Sequence, residues 1–415
     1  MKPSVFFFLL LLQYSFLAQA QQSYNITFTH ADKTVYGTFS VPAGAGPFPT
    51  IILNPGSGAN DRDGTLQLIG GNVACLYPGL LNETLKTYKE LGEALVDSGY
   101  AVLRYDKLEY TYPTSLGTIT FHKLWLPVES AIDYLKTRGD VDTANIILIG
   151  HSEGSSLIPF IARDRNDVKA LISLAGARTP FDSLLAYQLV YIAQTCGGNV
   201  SQAQLQANQI LAYFDLIRKN LWNAGTPALF GVPAGAWYDY VQATDPVADN
   251  YNLCDLPTLF IGLGLDINVP PAELIRFQNE VTITPDFWSL PGLIHYMTPN
   301  DDPHISEALT DTIIYWLRKN VLTTGARPGI SQEPFFKVSP NPFVSNFSIT
   351  FNKEGVKNLE IILHDVSGKI IHSEYHKQVN GKTGFTLSGD YPPGVYWLRV
   401  NADGETAVQK LVKRG

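Results

Sequence analysis

The sequence predicts an α/β protein with a mostly parallel sheet, a helical cap insertion and a small C-terminal all-β sandwich. Short apolar runs alternate with helical segments over most of residues 50–321. The alternation stops between residues 178 and 254, where only helical stretches occur. Beyond residue 335, short β-rich runs are separated by turns. Alternating strands and helices favour a parallel sheet covered on both faces, whereas strands alone favour a sandwich.

The first twenty residues are typical of a secretory signal peptide. Lys2 precedes an apolar run, and small residues occur at Ala18 and Ala20. Gln13 interrupts the run, whereas a membrane anchor needs about 20 continuous apolar residues. We therefore expect cleavage after Ala20, a secreted or surface-located protein, and a mature chain without a transmembrane segment.

Residues 21–322 contain the predicted α/β domain. A hairpin is expected over 26–41, and a glycine- and proline-containing loop follows the first apolar strand. The further predicted strands are 50–53, 100–105, 145–149, 168–174, 259–263 and 286–290. The predicted helices are 88–98, 122–137, 155–163, 271–281 and 305–321. Residues 178–254 form the predicted cap, with two or three helices.

A linker at 323–335, rich in Gly, Pro, Thr and Ser, separates this domain from a β-sandwich at 336–415. The two parts also differ in charge. The formal net charge is −8, yet residues 336–415 hold ten Lys and Arg against seven Asp and Glu. The main body is therefore acidic, which argues against nucleic acid as a partner because phosphate binding needs a basic surface.

Three cysteines cannot all pair within one chain. Cys196 and Cys254 flank the cap, so they are the favoured disulfide, with free buried thiols as the alternative. Their spacing fits no metal site, and no cofactor is implied.

A serine at a sharp turn is the predicted nucleophile. Residues 150–154 read GHSEG, between the apolar strand 145–149 and the helix 155–163. The pentapeptide alone is a weak signal, but a strand before it and a helix after it are the context of a nucleophile elbow. Gly150 and Gly154 leave room for the close backbone contacts of that turn. Ser152 is therefore the candidate nucleophile.

A serine hydroxyl needs a base, and in sheets with this elbow the acid and then the base follow the serine. Outside the C-terminal domain, only His295 and His304 follow Ser152. His295 lies in a loop after a short strand, whereas His304 begins the last helix, so His295 is the favoured base. Asp266 follows the strand 259–263 after a glycine-containing turn and is the favoured acid. Asp255 is the second choice, since it precedes that strand.

Two backbone N–H groups are expected to bind the developing oxyanion. One belongs to Glu153, directly after the serine. The other should come from the loop 54–58 (NPGSG), with Ser57 favoured over Gly56. The charged segments 61–64 (DRDG) and 104–107 (RYDK) are expected to pair with each other or cap turns, without a catalytic role.

Residues 55–58 (PGSG), 61–64 and 150–154 together resemble the α/β-hydrolase superfamily, in its bacterial esterase and lysophospholipase-like branch. The resemblance covers about residues 25–320. It implies hydrolysis of small carboxylic esters through an acyl-enzyme on Ser152. One departure is that the segment 104–107 continues as Leu108-Glu109-Tyr110, where many relatives have an arginine-glycine pair.

The C-terminal region resembles the sorting domain of bacterial type IX secretion substrates. The resemblance rests on 338–343 (VSPNPF), 365–369 (DVSGK), 393–398 (PGVYWL) and 410–414 (KLVKR). It implies contact with secretion machinery and release or surface attachment. The residues alone leave open a generic carbohydrate-binding sandwich.

Two other functions remain open on the sequence alone. A serine peptidase of the same fold would need an acidic anchor for a substrate amine, for which Glu109 and Asp239 are available. A non-catalytic surface binding protein is the third reading, and the complete triad argues against it.

Overall fold

The computed structural model describes residues 21–321, 336–351, 356–365, 370–379, 384–388, 391–402 and 405–414. The predicted signal peptide and linker lie outside these residues. Within residues 21–321, an eight-stranded sheet forms the centre. Its strands are β1 Gln22–His30, β2 Lys33–Val41, β3 Phe48–Asn54, β4 Ala101–Tyr105, β5 Val141–His151, β6 Ala170–Leu174, β7 Thr258–Leu263 and β8 Asp286–Leu290.

The spatial order of the strands is β1-β2-β4-β3-β5-β6-β7-β8. β2 pairs antiparallel with β1 on one side and with β4 on the other. The remaining neighbouring pairs are all parallel, namely β4-β3, β3-β5, β5-β6, β6-β7 and β7-β8. Central strands are buried along nearly their whole length, β4 and β6 completely. This burial explains their continuous apolar sequences, since both faces of the sheet are covered. The predicted mostly parallel sheet is confirmed.

The helices of the main body are α1 Gly71–Leu76, α2 Thr87–Asp97, α3 Leu108–Thr111, α4 Phe121–Trp125, α5 Pro127–Leu135, α6 Glu153–Ala162, α11 Ala272–Glu280 and α12 Glu307–Asn320. One apolar cluster fills the face of the sheet under α5, α6 and the cap. A second cluster packs α2 and α12 on the other face. The structure is thus a helix-sheet-helix sandwich.

Two sequence predictions for these elements need correction. The helix expected over 122–137 is two helices, because Pro127 has no N–H to continue α4 and instead begins α5. Residues 65–86 had no predicted structure, yet they contain α1 and a small hairpin of Thr65–Gln67 with Thr84–Lys86. The hairpin strands have three residues each, too few to give a periodic pattern.

The cap is helical as predicted, but it holds more helices than expected. Within the fully described stretch 178–254 it consists of α7 Phe181–Thr195, α8 Val200–Arg218, α9 Ala234–Thr244 and α10 Val247–Cys254. An aromatic cluster joins α9 to the main body, with Trp125 4.7 Å from Tyr240 and 5.2 Å from Trp237 between ring centroids. Such ring contacts bury large apolar areas and fix the cap on the body.

The predicted disulfide is wrong. Cys196, at the end of α7, is bonded to Cys75 in α1, with their Cα atoms 5.6 Å apart. Cys254 keeps its thiol, which donates to the carbonyls of Pro159 and Asn250 at 3.3 and 3.1 Å. Sequence proximity to the cap misled the prediction, because α7 runs toward the small α1 rather than toward the end of α10.

The C-terminal region is a β-sandwich in its described parts. Its strands are β9 Phe336–Ser339, β10 Asn346–Phe351, β11 Val356–Asp365, β12 Ile370–Val379, β13 Gly384–Ser388, β14 Gly394–Ala402 and β15 Glu405–Lys413. They form a three-stranded and a four-stranded antiparallel sheet. Side chains from both sheets share one apolar core. No helix in the described parts of the chain is long and apolar enough to cross a membrane.

Candidate active site

Ser152 lies at the turn between β5 and α6. Its φ of 53° and ψ of −120° are unusual for a residue with a side chain. The turn depends on its two glycines. A Cβ added to Gly150 would lie 2.4 Å from the Gly154 carbonyl oxygen, and one added to Gly154 would lie 2.3 Å from the Asn54 carbonyl oxygen. The chain can therefore make this tight strand-to-helix connection only with glycine at both positions.

His295 and Asp266 form a buried pair in the loops after β8 and β7. The distance from His295 Nδ1 to Asp266 Oδ2 is 2.7 Å. The other carboxylate oxygen of Asp266 accepts the N–H groups of Asn268 and Val269, each at 2.8 Å. Since the carboxylate accepts from Nδ1, that nitrogen carries the proton and Nε2 is left as the basic nitrogen.

The elbow and this pair meet at one edge of the sheet. β5, β6, β7 and β8 are neighbouring parallel strands, so their carboxyl ends lie side by side. The ring centroids of His151, the residue before Ser152, and His295 are 4.8 Å apart. Asp255 precedes β7 and therefore lies toward the opposite edge. His304 is exposed and contacts Glu90, with 3.1 Å between its Nδ1 and the carboxylate.

The loop after β3 passes directly beside the serine. A Cβ added to Gly56 would lie 3.2 Å from the Cβ of Ser152. The Gly56 N–H donates to the Tyr88 hydroxyl at 2.9 Å, so it already has an acceptor. Ser57 is therefore the better of the two predicted donors. Glu153 is the first residue of α6, where N–H groups have no acceptor within the helix.

His151 continues the hydrogen-bond chain that begins at Gly56. Its Nδ1 is 2.8 Å from the Tyr88 hydroxyl, and its Nε2 is 2.9 Å from the backbone oxygen of His295. Burial, and to a lesser extent the electrostatic effect of the neighbouring His295 ring, lowers the pKa of His151 to about 3. The ring is therefore neutral, with its proton on Nε2, because the carbonyl of His295 can only accept.

The charged segments pair with each other, as predicted. Arg62 contacts Asp106 at 2.6 Å, and Arg104 contacts Asp63. Lys107 behaves differently. Its ammonium contacts Glu153 at 3.0 Å and Glu109 at 3.2 Å, next to the serine turn.

Sequence reasoning missed Tyr88, His151 and Lys107 as residues of this site. Lys107 follows β4, and His151 ends β5. Both are thus at the carboxyl edge, a position the strand pattern already indicated. Tyr88 is the second residue of α2, and nothing in the sequence near it pointed to the serine. Of the two candidate amine anchors, Glu109 is paired with Lys107, and Asp239 is exposed on α9.

A groove of about 280 Å³ lies between α7 and α8 of the cap. Ala186, Tyr187, Val190, Tyr191, Gln194, Gln204 and Ala207 line it. α7 is tied to the loop that carries Asp266, because Gln188 donates to the Asn268 carbonyl at 2.8 Å. One wall of the groove is therefore hydrogen-bonded to the loop that carries Asp266.

Comparison with known proteins assigns the chain to a family. Over 316 residues the chain is 30% identical to Esterase EstD of Thermotoga maritima. The matched region covers 71% of this chain and 68% of EstD. The chain belongs to this family of α/β-hydrolase esterases. Residues 128–234 of the present chain also match the family model described as BAAT / acyl-CoA thioester hydrolase C terminal. The predicted hydrolase class is confirmed.

Solved structures of similar proteins include further esterases. The esterase domain of a Rhodothermus marinus protein is 17% identical, with a TM-score of 0.45, and covers 72% of this chain and 99% of its own. Est1E from Butyrivibrio proteoclasticus is 16% identical, with a TM-score of 0.46, and covers 72% and 98%. The α/β hydrolase GrgF from Penicillium sp. sh18 is 14% identical, with a TM-score of 0.48, and covers 72% and 99%.

The C-terminal region also has a matching family. Residues 337–414 match the secretion system C-terminal sorting domain. The predicted sorting domain is confirmed, and the match indicates export to the cell surface or beyond. In the described residues, no group of three or more His, Cys, Asp or Glu side chains is arranged to hold a metal ion.

Proposed function

We propose that this exported esterase cleaves carboxylic esters of small molecules through an acyl-enzyme on Ser152. The observation that carries the proposal is the buried His295–Asp266 pair, 2.7 Å apart, beside the strained Ser152 turn. In this reaction His295 Nε2 takes the hydroxyl proton while the serine oxygen attacks the ester carbonyl. Asp266 holds the tautomer and stabilises the imidazolium that forms.

The remaining steps follow from the same groups. The N–H groups of Ser57 and Glu153 stabilise the negative oxygen of the tetrahedral intermediate. His295 then gives its proton to the alcohol oxygen, and the carbon–oxygen bond of the ester breaks. Water, deprotonated by His295, attacks the acyl-enzyme and releases the acid. As this second tetrahedral intermediate collapses, the bond between the acyl carbon and the serine oxygen breaks, and His295 passes the proton taken from water to the Ser152 oxygen. The free enzyme is restored, and one water is consumed for each ester cleaved.

Hydrolysis of short- and long-chain p-nitrophenyl esters, beside an aminoacyl p-nitroanilide and an acyl-CoA thioester, tests the proposal. The variant is Ser152→Ala, and Ser201→Ala, an exposed serine on α8, is the matched control. We expect ester turnover that is lost only in Ser152→Ala. Ester turnover that survives in Ser152→Ala would refute the mechanism, and anilide turnover alone would favour the peptidase.

A further inference from the structure

Lys107 occupies an unusual position for a charged side chain. It follows β4 at the carboxyl edge of the sheet, and only 7% of its side chain is exposed. Its ammonium donates to the backbone oxygen of Gly56 at 3.0 Å and to Glu153 Oε2 at 3.0 Å. Glu109 Oε1 is 3.2 Å away. The ammonium therefore contacts both segments from which the proposed oxyanion donors come.

We propose that Lys107 is a positioning residue that holds both N–H donors of the oxyanion hole in place. This inference rests on the proposed function. The first link is the peptide unit that joins Gly56 to Ser57. A trans peptide is planar, so its carbonyl and its N–H point in opposite directions. Holding the Gly56 oxygen on the ammonium therefore directs the Ser57 N–H to the other side.

The second link runs through the side chain of Glu153. One carboxylate oxygen accepts from Lys107, and the other accepts from Trp125 Nε1 at 3.2 Å. Only 5% of this side chain is exposed. Glu153 is thus held on two sides at the start of α6, and its backbone N–H is held with it.

These hydrogen bonds are strong because the Lys107 ammonium is charged. Burial by itself would lower the pKa of Lys107, but the carboxylates of Glu109 and Glu153 raise it above its ordinary value. The side chain is therefore a charged ammonium at neutral pH. Asn60 also donates to the Gly56 oxygen at 3.0 Å, but hydrogen bonds from charged donors are roughly twice as strong as neutral ones.

Lys107→Met tests the inference, because methionine keeps the apolar stem and removes the ammonium. The matched control is Lys136→Met, whose lysine pairs with Asp167 on the surface. Two quantities are measured on each protein: kcat and KM for a short p-nitrophenyl ester, and the inhibition constant of a trifluoromethyl ketone of the same chain length. The serine oxygen adds to the carbonyl carbon of the ketone and forms a tetrahedral oxyanion that has no leaving group.

We expect kcat to fall about 10²-fold in Lys107→Met, the loss typical of one missing oxyanion donor. The inhibition constant should rise by the same factor, while KM and the control variant stay near wild type. A folded Lys107→Met with unchanged kcat and inhibition constant would overturn the inference, as would a change in KM alone.

Two further variants keep the outcomes distinct. If Lys107→Met does not fold, Glu153→Gln is measured in the same way. This variant keeps the backbone N–H donor of residue 153 and weakens the link of its side chain to Lys107. Unchanged kcat and an unchanged inhibition constant in Glu153→Gln would then overturn the inference. Turnover that persists in Ser152→Ala contradicts the proposed function itself. Serine-dependent turnover with an unaffected lysine variant contradicts only the role of Lys107.

Discussion

His151 connects two loops of the candidate site through a neutral ring. Its hydrogen bonds to Tyr88 and to the backbone of His295 link the loop after β3 with the loop that carries the base. Both ring nitrogens are used, and the ring is buried. A proton added to Nδ1 would place two donors opposite each other at the Tyr88 hydroxyl unless that hydroxyl rotates. The site is therefore built around an uncharged histidine.

This arrangement predicts a dependence of stability on pH. The pKa of His151 is about 3 in the folded protein, against about 6.5 in an unfolded chain. Between these values the unfolded chain binds a proton that the folded protein does not. Stability should therefore be complete above about pH 6.5 and fall as the pH drops toward 3, by up to about 1.4 kcal/mol per pH unit.

Urea unfolding of wild type and His151→Gln between about pH 7 and pH 4 measures this effect. We expect the free energy of unfolding to fall less steeply with decreasing pH in the variant. Titrating groups distant from this ring contribute equally to both proteins, so the difference in slope reports on His151 and its immediate surroundings. Equal slopes would contradict the prediction.

Asp266 provides a second prediction for a single residue. In Asp266→Asn the amide can present its N–H₂ to His295 Nδ1, which favours the wrong tautomer, and kcat should fall about 10⁴-fold with little change in KM. Asp255→Asn is the control, because it tests the other acid considered from sequence. A large loss of kcat in Asp255→Asn with none in Asp266→Asn would reverse the assignment.

At the scale of the elements, the disulfide adds a covalent attachment between the cap and the main body. It joins the end of α7 to α1, two cysteines separated by 121 residues. α1 itself has no buried residue, so its apolar packing contributes little to holding it. The covalent bond therefore stabilises an otherwise weak contact between the cap and the main body.

Removing this bond should destabilise the protein. Closing so long a loop restricts the unfolded chain strongly, and we expect Cys75→Ser to lower the free energy of unfolding by about 2–5 kcal/mol. Urea unfolding without reductant measures the loss, and reductant added to wild type should reproduce it. Cys254→Ser, which leaves the bond intact, is the control. An unchanged midpoint in Cys75→Ser would contradict the bond's role.

At the scale of the whole molecule, the two predicted domains have separate cores. The apolar clusters of the α/β part contain only residues up to Val321. The cluster of the sandwich begins at Phe336. Trp397 of the sandwich stacks on Trp288 of the α/β part, with 4.6 Å between ring centroids, but Trp397 belongs to neither apolar cluster. Because neither core takes side chains from the other, we expect each part to fold alone. The exact boundaries, 21–322 and 336–415, remain our proposal.

A chain that ends at residue 322 tests this division. We expect it to unfold cooperatively and to hydrolyse esters with the same kcat and KM as the chain that also contains residues 323–415, since the candidate site lies entirely in the first part. Thermal unfolding and ester kinetics on both chains provide the measurement. A truncated chain that aggregates or loses turnover would show that the sandwich is needed for the esterase fold.

The sequence by itself determined the parallel sheet, the cap and the sandwich, and it identified Ser152, Asp266 and His295 as the candidate triad. These features are local. Apolar runs identify strands, and glycines at Gly150 and Gly154 identify the turn. Because parallel strands end at one edge, the order of strands along the chain already brings their following loops together.

Only the tertiary structure decided which distant groups meet. The pairing of Cys75 with Cys196 depends on the path of α7 over the body. The contacts of Tyr88 with Gly56 and His151, and of Lys107 with Gly56 and Glu153, join segments about 30 to 60 residues apart. Such contacts are set by how helices and loops pack on the sheet, and packing leaves no periodic trace in the sequence.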